Sequence, residues 1–175
     1  MSPLSRLFPR FARQTAPAGK PGARAYAVGD IHGRLDLLDR LLGRIEADMA
    51  ARPPKRTYIV FLGDLIDRGP DSAAVVERLR HYRPRHARPV FLAGNHEEVF
   101  LSILAGDGKI LPNWLKYGGA ECAASYGVDP DLLRRVEEGE GVAMLQEKVP
   151  RAHREFLTGF HDTFRFGDYL FVHAG

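Results

Sequence analysis

The chain has 175 residues, enough for one domain with a hydrophobic core, and 45% hydrophobic and 27% charged residues are ordinary for a globular protein. A single cysteine, Cys122, excludes an internal disulfide framework and fits a reducing compartment. No apolar run approaches the roughly 18 residues of a membrane span, and the net charge of +3 gives only weak support for a nucleic-acid partner. We therefore expect a cytoplasmic protein with neither a membrane span nor bound nucleic acid.

Residues 1–24 are predicted to form a basic, disordered tail. This segment carries Arg6, Arg10, Arg13, Lys20 and Arg24, has no acidic residue and includes four prolines. Its apolar residues leave open a weak anchor to anionic lipid or nucleic acid. It lacks the apolar core of a secretory signal, so we expect no export, and we expect the folded domain to cover residues 25–175.

Strands and helices alternate in the first part of this domain. Short runs rich in β-branched and aromatic residues predict strands at 25–28, 57–62 and 89–93. Helical spacing of apolar residues, as in Leu38, Leu41, Leu42 and Ile45, predicts helices at 35–50, 70–82 and 97–105. The alternation predicts an α/β fold with a parallel sheet and right-handed crossovers.

The segment 106–166 differs from the part before it. Its pattern is mostly helical and is interrupted by glycines, with Asp129 as a predicted cap and Pro130 as the first helical residue. We interpret it as a helical insertion before a last strand at 169–173. Trp114 and Tyr117, in the sequence LPNWLKYGG, belong either to the core of this insertion or to a substrate groove.

Four motifs each follow a predicted strand: GDIHG at 29–33, GDLIDRG at 63–69, GNHE at 94–97 and VHAG at 172–175. Ligands of open α/β sheets bind beyond the carboxyl ends of the strands, so these loops are expected to meet there. Together they offer oxygen and imidazole metal ligands: Asp30, His32, Asp64, Asn95 and His173. This set suits two divalent ions, with Mn²⁺ favoured over Fe or Zn²⁺, and with Asp64 as the bridging carboxylate. Such a pair would generate a bridging hydroxide that attacks phosphorus.

These motifs resemble those of the phosphoprotein phosphatase branch of the calcineurin-like metallophosphoesterases. The closest resemblance is to bacterial serine/threonine protein phosphatases, with symmetric diadenosine tetraphosphatases as near relatives. The resemblance implies a β-sandwich flanked by helices. It implies that Asp30, His32 and Asp64 hold one metal and that Asp64, Asn95 and His173 hold the other. It also implies that His96 is the general acid oriented by Asp67, and that Arg68 and Asn95 bind the substrate phosphate.

The resemblance also implies a further histidine and a phosphate-binding arginine beyond the VHAG motif. Because the sequence ends at Gly175, we expect a C-terminally truncated domain with an incomplete second sheet. The other histidines, His81, His86, His153 and His161, have no motif context and are expected at the surface or in the core.

The sequence thus favours a metal-dependent phosphomonoesterase that hydrolyses phosphoserine or phosphothreonine in proteins, with a phosphoprotein or a phosphorylated small molecule as its partner. Two alternatives remain open at this point. One is a dinucleoside polyphosphate hydrolase, and the other is an inactive fragment that only binds phosphate or a partner. Oligomeric state and physiological substrate are left open.

Overall fold

A three-stranded parallel sheet lies at the centre of the computed structural model, which describes residues 16–53 and 56–173. The strands are β1 (Ala23–Val28), β2 (Arg56–Phe61) and β3 (Arg88–Phe91), in the order β1-β2-β3. Val28 pairs with Phe61 and Phe61 with Phe91, so the carboxyl ends of all three strands are level. The predicted parallel sheet is confirmed, and the first three sequence motifs follow its carboxyl edge.

Three longer helices follow these strands in the chain: α1 (Leu35–Ala51), α2 (Ser72–Arg80) and α3 (Asn95–Leu104). Each buries its apolar side, as α1 does with Leu38, Leu42 and Ile45. Helix α3 starts two residues before the predicted position because Gly94 is extended and its N–H donates to the Glu97 carboxylate, 3.0 Å away. The GNHE motif is therefore the cap and first turn of a helix.

A layer of short helices occupies the insertion. After a 3-10 turn at Gly108–Ile110 come α4 (Leu111–Trp114), a kinked segment (Leu115–Gly119), α5 (Ala120–Ser125), α6 (Pro130–Leu133), α7 (Glu138–Lys148) and α8 (Arg151–Thr158). Asp129 caps α6 by accepting from the Asp131 N–H at 2.9 Å, as the sequence predicts.

The end of the insertion is a strand, which corrects the helical interpretation of residues up to 166. β4 (Thr163–Phe166) pairs antiparallel with β5 (Tyr169–Val172) across a two-residue turn in which Gly167 has φ 63°. Such turns need positive φ, so the Gly-Asp pair was a readable hairpin signal. The last strand thus belongs to a second, antiparallel sheet rather than to the parallel one.

The β4–β5 hairpin packs on the parallel sheet through aromatic side chains. The Phe164 and Phe166 rings lie 5.4 and 5.8 Å from the Tyr58 ring, and Phe164 and Phe171 cover the buried cluster of Val60, Val90 and Leu92. The two sheets form the layered arrangement that the resemblance implies, with helices on the other face of the parallel sheet.

The chain ahead of β1 is held against this hairpin. The Ala18 N–H donates to the Asp168 carboxylate at 3.0 Å, and the Asp168 N–H donates to the Ala18 carbonyl at 2.9 Å. Strand β1 begins at Ala23, two residues before the predicted start of the domain, and residues 1–15 of the predicted tail lie outside the described residues. Among the described residues, no helix is long and apolar enough to cross a bilayer.

Candidate active site

The loops at the carboxyl edge of the sheet bring every predicted site residue together. Asp30 and His32 follow β1, Asp64, Asp67 and Arg68 follow β2, Asn95 and His96 open α3 after β3, and His173 follows β5. The first two loops are joined directly, because the N–H groups of Ile31 and His32 both donate to the Asp64 carbonyl at 2.9 Å. His173 reaches the same edge although its strand lies in the other sheet.

Several residues of these loops have a backbone conformation that side chains rarely adopt. His32, Asp64, Asp67 and Arg68 have φ values of 44°, 52°, 69° and 66°. Positive φ in non-glycine residues costs of order 1–3 kcal/mol each and is concentrated at functional sites. Hydrogen bonds offset this cost: the Asp67 N–H donates to the Ser72 hydroxyl at 3.0 Å. The strain is therefore concentrated at the edge of the sheet where the sequence predicts the site.

A buried carboxylate, Glu97, ties two of the loops together. It accepts the N–H groups of Asp64 and Leu65 at 2.8 Å each, in addition to that of Gly94. Burial raises the pKa of Glu97, and the backbone N–H donors oppose the rise by stabilising the carboxylate. Sequence reasoning gave Glu97 no role of its own. The available signal was an acidic residue in the first turn of an otherwise apolar helix.

The histidines of the site are oriented by backbone carbonyl groups. His32 Nδ1 donates to the Ile66 carbonyl at 2.9 Å, and His173 Nδ1 donates to the Leu62 carbonyl at 2.7 Å. In both rings this leaves Nε2 as the atom that faces the site. A hydrogen bond from Nδ1 to a backbone carbonyl fixes the tautomer that a metal ligand needs.

The facing atoms lie at distances that suit metal ligands. His32 Nε2 is 3.8 Å from a carboxylate oxygen of Asp30 and 3.8 Å from one of Asp64. His173 Nε2 is 3.5 Å from the other oxygen of Asp64 and 3.1 Å from Asn95 Oδ1. Because the two oxygens of Asp64 face different histidines, this carboxylate can contact two ions at once.

The described residues contain two groups of three side chains whose donor atoms, within each group, all lie within 4.8 Å of one another. One group is His32, Asp64 and His96, and the other is Asp30, Asp64 and His173. Asp64 belongs to both groups. The first group differs from the predicted ligand set, because it contains His96 where the prediction has Asp30. Oxygen and imidazole donors without a thiolate fit Mn²⁺, Fe or Zn²⁺, so the residues present fit divalent metal ions.

His96 differs from His32 and His173 because its Nδ1 bonds a carboxylate rather than a backbone carbonyl. Its Nδ1 donates to Asp67 Oδ2 at 2.7 Å, and the same oxygen accepts the indole N–H of Trp114 at 2.9 Å. Asp67 is fully buried. Its hydrogen bond raises the pKa of His96 above the ordinary value, and burial of the ring opposes the rise. The arrangement leaves His96 Nε2 facing the site as a proton donor or acceptor.

Arg68 lies between the two histidines. Nη1 of its guanidinium is 2.8 Å from His32 Nε2, and Nη2 is 3.2 Å from His96 Nε2. A cation at His32 Nε2 would displace Nη1, because both require the same lone pair. The planar guanidinium is then free to bind two oxygens of a phosphate group.

The insertion reaches the site through Gly118. Its carbonyl accepts the Arg68 N–H at 2.8 Å, its φ is 112°, and an added Cβ would lie 2.6 Å from Arg68 Cγ. Only glycine satisfies both the conformation and the close approach. The close approach at Gly118 is therefore made to the loop that carries Arg68.

A cavity of about 310 Å³ opens beside Arg68 and His96. Its remaining wall is formed by Asn95, Val99, Ile110, Asn113, Trp114 and Tyr117. The sequence left open whether Trp114 and Tyr117 belong to the core or to a groove. Trp114 is buried in the core and also lines the cavity. Tyr117 lines the cavity and is 59% exposed.

Comparison with known proteins gives a consistent result. A family model described as calcineurin-like phosphoesterase matches residues 23–175. The chain is 37% identical over 153 residues to a symmetrical bis(5'-nucleosyl)-tetraphosphatase of Dechloromonas aromatica, covering 86% of this chain and 43% of that protein. It is 37% identical over 94 residues to serine/threonine-protein phosphatase 1 of Salmonella typhimurium, covering 54% of this chain and 38% of that protein.

The same fold occurs in a crystal structure described as a candidate diadenosine tetraphosphatase. The TM-score is 0.50 at 21% identity, over 88% of this chain and 55% of that chain. The chain spans less than half the length of the curated relatives that it matches.

Proposed function

The chain belongs to the calcineurin-like phosphoesterase family, and from this premise we propose that it hydrolyses dinucleoside polyphosphates such as diadenosine tetraphosphate. The similarity to symmetrical bis(5'-nucleosyl)-tetraphosphatases carries the proposal, because one such alignment covers 86% of the chain. An alignment of this length includes most of the insertion, which forms part of the cavity wall.

This proposal reverses the order of preference given by the motifs. The motifs favoured a protein phosphatase and kept the dinucleoside polyphosphate hydrolase as the alternative. The match to a serine/threonine phosphatase covers only 54% of the chain. Both kinds of enzyme share the metal-site motifs, so these motifs support phosphate-ester hydrolysis without distinguishing the two substrates. The residues that would distinguish them lie in the insertion, which lines the cavity.

Asp30, His32, Asp64, Asn95 and His173 would hold two divalent ions, for which Mn²⁺ is our first candidate. Bound ions of this kind neutralise phosphate charge and lower the pKa of water enough to supply a nucleophile at neutral pH. Asp64 sits between the two histidines at 3.8 and 3.5 Å, so it is the residue on which both positions depend.

The remaining residues act on the substrate. Arg68 binds oxygens of the attacked phosphate, and His96 donates a proton from Nε2 to the oxygen that leaves. Water adds to phosphorus as the P–O bond to the leaving nucleotide breaks, so cleavage at the centre of a tetraphosphate yields two nucleoside diphosphates. Asp67 and Trp114 keep the imidazole oriented through the hydrogen bonds at 2.7 and 2.9 Å.

The experiment compares kcat/KM for diadenosine tetraphosphate and for a phosphoserine peptide, with Mn²⁺ present and products separated by chromatography. We expect the dinucleotide to be the better substrate and ADP to be the nucleotide product. Faster turnover of the phosphopeptide would establish the second candidate, a protein phosphatase, which the Salmonella relative supports. Phosphate binding without turnover of either compound would establish the third candidate, a fragment that only binds phosphate or a partner.

A further inference from the structure

We propose that the cavity between α3 and the α4 region binds the nucleobase of the departing nucleotide, with the Tyr117 ring as its stacking surface. The inference rests on the proposed function and adds the place where the substrate is recognised. It concerns the apolar wall of the cavity, which the phosphate chemistry does not use.

The position of the cavity assigns it to the leaving group. His96 and Arg68 both line the cavity, and His96 is the residue whose Nε2 faces the site. A group that receives a proton from His96 must lie next to that atom. Whatever is attached to the leaving oxygen therefore extends towards the cavity.

The wall is suited to a flat aromatic ring. Val99 and Ile110 are half-buried apolar residues, and Trp114 closes the wall with a ring stacked on Phe100 at 5.4 Å. Tyr117 lines the cavity and is 59% exposed, so its ring is accessible to a ligand. Exposed aromatic rings are the surfaces on which proteins stack nucleobases.

Polar groups at the rim match the rest of a nucleotide. Asn113 is exposed and lines the cavity, and its amide can both donate to and accept from the edge of a base. Lys116 Nζ lies 5.5 Å from the centroid of the Tyr117 ring, which places a positive charge beside the cavity. This charge complements a polyphosphate chain more closely than a neutral peptide segment.

The size of the cavity also favours a small molecule. At about 310 Å³ it is at the lower end of the range, roughly 300–1,000 Å³, in which small-molecule ligands bind. It therefore has room for a single ring system. We assign it to the base, and treat a hydrophobic side chain of a phosphopeptide as an outcome of the test.

Fluorescence provides the test because Trp114 is the single tryptophan of the chain and lines the cavity. The Mn²⁺-loaded chain is titrated with ADP and, in parallel, with pyrophosphate, which has the same phosphates without a base. We expect ADP to change the Trp114 emission saturably and to bind more tightly than pyrophosphate. Stacking on an aromatic ring is worth enough that Tyr117→Ala should weaken ADP binding about tenfold.

Two control variants isolate the stacking. Tyr117→Phe keeps the ring and should retain ADP affinity, and Leu132→Ala removes an exposed apolar residue of α6 that does not line the cavity. Pyrophosphate affinity should be the same in all of them. Equal ADP affinity in the wild type and in a folded Tyr117→Ala variant would overturn the inference.

A change of Trp114 emission with a hydrophobic phosphopeptide, lost in Tyr117→Ala, but none with ADP, would also overturn it. Binding is read without turnover, so the two proposals can fail separately. Tyr117-dependent ADP binding by a chain that leaves diadenosine tetraphosphate intact would refute the proposed function and retain the base site.

Discussion

Two buried histidines in the described part of the chain each pair with a carboxylate, and they differ in the partner of the second ring nitrogen. In the first, the His96 pair, Nδ1 bonds Asp67 at 2.7 Å, while Nε2 faces the site and lies 3.2 Å from Arg68 Nη2. In the second, the His153 pair, Nδ1 bonds the Tyr126 hydroxyl at 3.0 Å and Nε2 bonds Glu77 at 2.9 Å. Both rings are almost fully buried, so burial alone does not distinguish them.

The difference shows what makes a histidine available for chemistry. His153 uses both nitrogens within the protein and joins α8 to α2, which is a structural role. His96 uses one nitrogen to fix its orientation, and its other nitrogen lies beside Arg68 and the predicted metal ligands. The carboxylates differ as well, since Asp67 is fully buried whereas the Glu77 side chain is 48% exposed. Substitutions around the His96 pair should therefore lower activity, whereas substitutions at the His153 pair should change only stability.

Substitution of the shared metal ligand should have the largest effect on activity. In Asp64→Asn the backbone is preserved, because asparagine tolerates the positive φ of 52° at this position. The loss of charge should lower kcat/KM for diadenosine tetraphosphate by at least about 10–100-fold, since even the groups that hydrogen-bond a metal ligand contribute that much. Steady-state kinetics with Mn²⁺ measure it. Normal activity in a correctly folded variant would show that Asp64 does not hold the metals.

The His96 pair predicts a loss that depends on the leaving group. In His96→Gln, hydrolysis of an alkyl phosphate should fall by about 10²–10⁴-fold, the usual contribution of a general acid. The loss should be smaller for p-nitrophenyl phosphate, because its leaving oxygen needs less help from a proton. The two rates are compared in one preparation, with His153→Gln as the matched control that keeps activity. An equal loss on both substrates would argue against proton donation by His96.

A weaker effect is expected from the indole that supports Asp67. Trp114→Phe keeps an aromatic ring but removes the N–H that donates at 2.9 Å. Because Asp67 is buried and charged, the free energy of unfolding should fall by about 1.5–3 kcal/mol. We also expect kcat to fall about tenfold with little change in KM, as for other residues that orient a functional group. An unchanged kcat would limit Trp114 to the core.

The smallest effect is expected at the His153 pair and depends on pH. Hydrogen bonds from Arg80 and from His153 lower the pKa of Glu77 from 4.5 to about 2. Because the folded-state pKa is the lower one, the stabilisation is complete above a pH of about 4.5 and disappears as the pH falls towards 2.

Glu77→Gln should therefore lower the free energy of unfolding at pH 6 by less than about 1 kcal/mol, the usual size for partly exposed pairs. The difference from wild type should shrink at pH 3, while activity at pH 7 stays normal. Urea unfolding at the two pH values measures this effect. A difference that grows at pH 3 would contradict the lowered pKa of Glu77.

The sequence predicted the parallel sheet well because its strands combine two strong signals. Each is a short run of β-branched or aromatic residues, and each ends in a glycine-containing motif at 29–33, 63–69 or 94–97. Those same motifs also located the site, since parallel strands bring their carboxyl ends to one edge. The metal-binding and catalytic roles assigned to these residues stay predictions.

Other features depend on long-range contacts and were not predictable in this way. β4 has only four residues, so apart from the Gly-Asp turn that follows it, it is recognisable mainly through its pairing with β5. The bond from Trp114 to Asp67 joins residues far apart in sequence, and the contact of Gly118 with Arg68 depends on the kink between α4 and α5. No local pattern encodes these contacts, although they connect the insertion to the chemistry.

The number of Mn²⁺ ions bound to the folded chain tests the account most directly. Equilibrium dialysis should give two ions per chain for the wild type and for His153→Gln, and fewer for Asp64→Asn, because Asp64 faces both histidine ligands at 3.8 and 3.5 Å. Two ions retained at full affinity in Asp64→Asn, or none bound by the wild-type chain, would contradict the assignment of this sheet edge as a two-metal site.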